Sequence, residues 1–116
     1  PGTGDAYLTV ASELKPNYVL LVTSQSKLAV KDTIKSKSMF ERLKIPIMGV
    51  IDNMSYSVSF QSGEVVPDFS PIDLEHEIGL KILGSIPRTK ELTAFNPEIS
   101  SNFFETTYNE VLQIIE

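Results

Sequence analysis

The sequence predicts an α/β fold, a parallel sheet with flanking helices, and three observations carry that expectation. Two short runs, Tyr18–Thr23 and Ile45–Ile51, are almost continuously apolar. A strand with one wet face would alternate; unbroken runs suit strands covered on both faces, as in a parallel sheet between helix layers. A helical period lies between the two runs, and a second, strongly amphipathic one closes the chain. Strand, helix, strand, helix, strand, helix is the order of βαβ units.

Each element has its own justification. Tyr18–Thr23 and Ile45–Asp52 are expected as adjacent parallel strands, both buried. From Leu28 to about Lys44, spacing at about 100° per residue puts Leu28, Ala29, Ser36, Met39, Phe40 and Leu43 on one face of a crossover helix. Lys31, Lys35, Lys37 and Arg42 fall largely off that face and read as solvated. Asp32 sits within the apolar stripe, either as a first-turn carboxylate facing the helix dipole or as a group facing a site at the strand ends. Asn53–Phe69 shows no period and reads as an irregular polar stretch. Ser70-Pro71-Ile72-Asp73 then reads as a helix start, with Ser70 as N-cap, Pro71 first and Asp73 third, and Gly79 can end that helix. Lys81–Ile86 is a third, weaker strand, and Thr89–Phe95 one or two helical turns. In Ser101–Glu116, residues Phe103, Phe104, Thr107, Tyr108, Val111, Ile114 and Ile115 share the face of a packing helix.

Composition removes several classes of function. With 41% apolar and 22% charged residues, the 116-residue chain is that of a folded domain or a large piece of one. Fifteen acidic against ten basic residues leave a net charge of −5. Non-specific binding to nucleic acid or an anionic membrane would want the opposite sign. The longest apolar stretches fall far short of the roughly 20 residues of a membrane span. No signal peptide opens the chain, and a cytoplasmic location is expected. The absence of cysteine excludes disulfides and any thiolate metal ligand from this chain. His76, the single histidine, stands among solvated carboxylates and reads as a surface helix position, since a zinc site needs more ligands.

Four stretches bear on chemistry. Pro1-Gly2-Thr3-Gly4-Asp5 is a tight turn, or one whose backbone N–H groups approach a phosphate without a Cβ in the way. Ile51-Asp52-Asn53-Met54-Ser55-Tyr56 lies where a buried strand gives way to a loop, the end at which open α/β sheets bind ligands. The Asn53 amide offers a donor and an acceptor that match the N6/N7 edge of adenine, or it caps a turn. Gly84-Ser85-Ile86-Pro87-Arg88 again ends a strand, and Ser59-Phe60-Gln61-Ser62-Gly63 lies within the irregular stretch.

Taken in order, these stretches resemble the Mrp/ApbC branch of the MinD- and ParA-like P-loop ATPases, a family of iron–sulfur cluster carriers. Pro1–Asp5 is similar to the second half of the family's switch motif D-x-P-P-G-T-G-D. Ile45–Tyr56 resembles V-P-V-L-G-x-x-E-N-M-S-Y, with Asp52 for Glu, and Leu83–Pro87 resembles L-G-x-I-P. Thr23, Gln25, Ala29 and Asp32 resemble T-x-P-Q…A-x-x-D. The resemblance implies that residues 1–116 are the C-terminal part of one such domain, a MinD-like P-loop NTPase half that starts after the Walker A loop.

What the resemblance implies for residues follows position by position. Gly2 matches the switch glycine whose N–H approaches the γ-phosphate, a catalytic and nucleotide-contacting position. Asn53 matches the asparagine that reads adenine, and Ile86, Pro87 and Arg88 match the segment that lines the base. Gly2, Asn53 and Pro87 are therefore expected at one edge of the sheet. ATP and Mg²⁺ are the implied cofactors of the intact protein, a homodimer is the implied assembly, and iron–sulfur scaffold or client proteins are the implied partners, with neither nucleic acid nor membrane. Ser59 and Ser62 stand where the family's two cluster cysteines would be, and a hydroxyl is a poor ligand for such a centre. The expectation is that this chain alone holds neither a cluster nor tightly bound ATP and does not hydrolyse it. The alternatives are a non-catalytic interaction module derived from such an ATPase, lacking both cluster and nucleotide chemistry, and a division or partitioning ATPase. The latter would want a basic, membrane-targeting C-terminal helix, whereas this one ends Ile114-Ile115-Glu116.

Overall fold

A computed structural model describes residues 5–58, 64–66, 71–89 and 97–116. The chain runs α1 (Asp5–Leu14), β1 (Val19–Thr23), α2 (Lys27–Arg42), β2 (Ile47–Val58), β3 (Val65–Val66), α3 (Leu74–Ile78), β4 (Ile82–Arg88) and α4 (Pro97–Ile115). β2 is the central strand. β1 pairs with it in parallel from Val19 opposite Ile47 to Thr23 opposite Asp52. β4 pairs in parallel along its other edge, from Ile82 opposite Val50 to Arg88 opposite Ser57. The three apolar runs thus form the parallel sheet expected of them. β3 adds two antiparallel pairs, Ser57 with Val66 and Val58 with Val65.

Register decides which residues share a face. Leu21, Val50 and Ile82 lie in one row on the face covered by α2 and α3. There they join Val30, Met39 and Phe40 of α2, Leu74 and Ile78 of α3, and Ala11 of α1 in one core. Val50, at 0% exposure, is its most enclosed member. Val22, Ile51 and Gly84 form the opposite row, which α4 covers at the β4 end. A Cβ on Gly84 would lie 1.8 Å from Thr107 Oγ1, so only glycine lets α4 come this close. Lys81 Nζ meets Glu110 Oε2 at 3.2 Å beside that seam.

The structure corrects several expectations. β1 is not buried on both faces: Val22 is 58% exposed, because α4 lies over β4 and β2 and leaves the β1 end of that face open. The buried stripe of α2 is Val30, Thr33, Met39 and Phe40, and Leu28 is 70% exposed. The helix begins at Lys27 behind the N-cap Ser26, so Asp32 lies beyond the first turn and is no dipole-facing cap. Its end is sharp: Lys44 takes φ 58° and Ile45 N donates back to Phe40 O at 3.0 Å.

α3 starts later than its Ser-Pro signal suggests, at Leu74. Asp73 is its N-cap, with Oδ1 accepting from His76 N at 3.2 Å. The backbone just before is committed elsewhere, since Ile72 N donates to Gln25 Oε1. Gly79, at φ 75°, ends the helix in the left-handed conformation as expected. Ser70 lies outside the described residues, as does all of Thr89–Phe95 except Thr89 itself.

Part of the stretch read as irregular is strand: β2 continues through Asn53 to Val58. α4 buries Thr107, but Phe104, Tyr108 and Ile115 on its expected packing face are exposed. α1 and β3 had no counterpart in the sequence reading.

Candidate functional site at the carboxyl ends of the parallel strands

The three parallel strands run in the same direction, so their carboxyl-terminal parts lie on one side of the sheet, with Thr23, Asp52, Asn53 and Ser85 at one level. Thr23 ends β1, and the turn Ser24–Ser26 leads into α2 with Ser26 in extended geometry (φ −103°, ψ 133°) accepting from Ala29 N. β2 passes Asp52 and Asn53 at the same level, because Thr23 lies opposite Asp52. On the other side Ser85 lies opposite Asp52 and Ile86 opposite Asn53. Pro87 is therefore one residue along from the neighbour of Asn53, on a strand about 4.8 Å away. Asn53 and Pro87, 34 positions apart in sequence, are brought to one end of the sheet.

Asn53 is held by its own backbone. Met54 N donates to Asn53 Oδ1 at 3.0 Å, and Met54 takes φ 54°, an uncommon and costly conformation for a side chain without local polar compensation. That contact occupies one lone pair of the amide oxygen and leaves the other, with the amide N–H groups, for a ligand. Arg88, opposite Ser57, lines a cavity of about 400 Å³ together with Ser24, Gln25, Ser26 and Met54.

Asp52 is the unusual group of the site. It is 5% exposed, and Oδ2 accepts from Gln25 Nε2 at 2.7 Å. Among the described residues Oδ1 has no hydrogen-bond partner, nor do Thr23 Oγ1 and Ser55 Oγ. Burial pushes the Asp52 carboxyl above its ordinary range, and the hydrogen bond from Gln25 opposes that only in part. Gln25 uses both ends of its amide, since Oε1 accepts from Ile72 N at 2.8 Å. One side chain thus ties the β1–α2 turn to the middle of β2 and to the segment ahead of α3.

Of the residues singled out in the sequence, Asn53, Pro87 and Arg88 come together at this end, while Gly2, Ser59 and Ser62 lie outside the described residues. His76 is exposed on α3, and no group of residues able to hold a metal ion occurs among the described residues. Resemblance had marked Gln25 and Asp52 separately, but nothing in the sequence signalled the Gln25–Asp52–Ile72 connection, because its partners are 27 and 47 residues away. No helix among the described residues is long and apolar enough to cross a membrane.

The chain can be compared with known proteins on this footing. An iron–sulfur cluster carrier protein of Aquifex aeolicus is 36% identical over 101 residues, 79% of this chain and 26% of that protein. The protein of the same description from Haemophilus influenzae is 32% identical over 106 residues, 85% of this chain and 29% of its own length. The chain therefore spans between a quarter and a third of these relatives. Among solved structures, a nucleotide-binding protein of Archaeoglobus fulgidus in complex with ADP superimposes with TM-score 0.69 at 27% identity, over 89% of this chain and 47% of that one. The cell division ATPase MinD of Pyrococcus furiosus gives TM-score 0.66 over 90% of this chain and 46% of that one, and at 18% identity it speaks for the fold alone. A family model described as the NUBPL iron-transfer P-loop NTPase of the ParA group matches residues 1–116 from end to end. The chain belongs to that family, and its sheet is the MinD-like P-loop NTPase sheet.

Proposed function

We propose that this chain is the C-terminal, base-recognising part of an ATP-dependent iron–sulfur cluster carrier, with Asn53 contacting adenine and the Pro87–Arg88 segment lining the base. One observation carries the reading most: register sets Asn53 opposite Ile86 at the carboxyl ends of parallel strands, beside the cavity that Arg88 lines. Ligands of open α/β sheets bind at that edge. The ADP complex of the Archaeoglobus fulgidus neighbour and the description of the relatives as cluster carriers support it. Phosphates and Mg²⁺ would be held mainly by residues outside this chain, with Gly2 as its one contact to the γ-phosphate. Hydrolysis would proceed by positioning water and neutralising charge at that phosphate. The intact protein is proposed to act in the cytoplasm as a homodimer that hands clusters to client proteins.

The cargo is a different matter. The donor set of residues 1–116 does not fit an iron–sulfur cluster, because the chain has no cysteine and serine hydroxyls do not replace thiolates. Any cluster on the intact protein is held by other residues. The same observation favours a second reading, an interaction module that retains the fold without cluster or nucleotide chemistry.

Titration calorimetry on the intact protein separates these. Asn53→Ala should weaken ADP binding about tenfold, the loss of roughly 1.4 kcal/mol. Unchanged affinity would sink the base contact. Anaerobic reconstitution with iron and sulfide, followed by visible absorption, tests the cargo, and a protein that takes up no cluster and binds no ADP supports the second reading.

A further inference from the structure

We infer that Gln25 and Asp52 form a positioning pair that sets the angle at which Asn53 meets a nucleobase, and that Gln25 is therefore a determinant of base specificity. The inference rests on the proposed role of Asn53. Asn53 sits between two unusual neighbours. After it, Met54 is held at φ 54°, and that backbone persists only while its surroundings over-determine it. Before it, Asp52 is buried, and its Oδ2 is fixed by Gln25 Nε2 at 2.7 Å while Oδ1 has no partner. Among the described residues Gln25 is thus the single side chain that fixes the Asp52 carboxyl.

Gln25 is itself oriented. An amide free to flip would present oxygen to oxygen half of the time, but Ile72 N donates to Oε1 at 2.8 Å and commits Nε2 to Asp52. The order of constraint runs from the segment ahead of α3, through Gln25 and Asp52, to Asn53 and its bond from Met54 N. Gln25 also lines the cavity with Met54, the residue after Asn53, and with Arg88. An amide reads a base through paired donor and acceptor directions, which a small rotation of the strand end spoils for one base edge more than for another. Loss of Gln25 should therefore appear as lost discrimination more than as lost stability.

The test uses the intact protein, with ADP and GDP as probes in titration calorimetry and thermal unfolding recorded alongside. Gln25→Met keeps the volume and removes both hydrogen bonds. It should lower the ADP-to-GDP affinity ratio about tenfold, the scale of one well-formed amide–base pairing. Asp52→Asn retains an oxygen for Gln25 and should keep the ratio, whereas Asp52→Leu should lose it as Gln25→Met does. If Gln25→Met does not fold, Gln25→Asn replaces it, because the shorter amide cannot reach Asp52 and Ile72 together. A wild-type ratio in the Gln25 variant, with Asn53→Ala collapsing it, overturns the positioning role and leaves the base contact standing. A wild-type ratio in Asn53→Ala overturns both. A fall in melting temperature at constant ratio assigns Gln25 to structure alone and overturns the inference.

Discussion

β2 is one strand with two characters, and its halves are worth setting side by side. From Ile47 to Ile51 it is closely packed: Val50 is fully enclosed, and a Cβ on Gly49 would collide with Leu83, as one on Gly84, opposite Ile51, would with Thr107. From Asp52 to Val58 the same strand carries a buried carboxyl with one free oxygen, an unpartnered Ser55 hydroxyl, a residue at positive φ and the rim of a cavity. The first half gains stability from close apolar contact. The second half gives some of it up, since each unpaired buried polar atom costs on the order of 1–3 kcal/mol. Expense of that kind at a strand's carboxyl end is where a binding site is expected.

Substitutions that separate stability from binding can break this contrast. The largest effect should come from Gly84→Ala, which drives a methyl into Thr107; destabilisation of about 3 kcal/mol is expected from overpacking of this severity. Thr107→Ala removes two of the three clashing atoms and should recover part of it, as read by denaturant unfolding. A neutral Gly84→Ala would mean that α4 is not seated on β4 as described. Val50→Ala should cost about 2 kcal/mol through transfer and cavity terms while leaving ADP affinity at wild type once the protein is folded.

At the other end the sign should reverse. Asp52→Asn removes a buried carboxyl and should stabilise by about 1 kcal/mol at neutral pH. The pH dependence identifies the cause. The folded carboxyl binds its proton more tightly than the unfolded one, so wild-type stability is greatest below the ordinary value of 3.8 and is lost as pH rises through the raised folded value. The advantage of Asp52→Asn should accordingly shrink as pH falls toward 3.8 and be flat above the folded value. A constant advantage across that range would show that the carboxyl's charge is not the cost. The smallest effect belongs to Lys81→Ala, since the exposed pair with Glu110 should be worth no more than about 0.5 kcal/mol and less at high salt.

Much of the fold could be read before any coordinates. Unbroken apolar runs identified β1, the first half of β2 and, more weakly, β4, because strands of a parallel sheet are apolar on both faces, even though one face of β1 stays open at Val22. Gly79 marked the end of α3 for a local steric reason, and Asn53, Pro87 and Arg88 were marked by resemblance. α1 had no counterpart in the sequence reading; among its described side chains Leu8, Val10 and Leu14 are exposed and Ala11 alone is buried. The extension of β2 past Asp52 was missed because Asn53–Val58 owes its strand state to partners on both edges, β4 and β3, and not to its own residues.

The sequence by itself determined the class of fold, the order of the parallel strands' elements, the exclusion of thiolate chemistry from this chain and the family resemblance. These follow from periodicity, composition and motif spacing, which are local or countable properties. Tertiary structure alone decided that Gln25 joins Asp52 to Ile72, that Thr107 needs the bare backbone of Gly84, and that one face of β1 stays open at Val22. Each of these depends on distances between residues 23 or more positions apart, or on what an element fails to cover. Register and helix placement fix such distances, and no stretch of the chain encodes them alone.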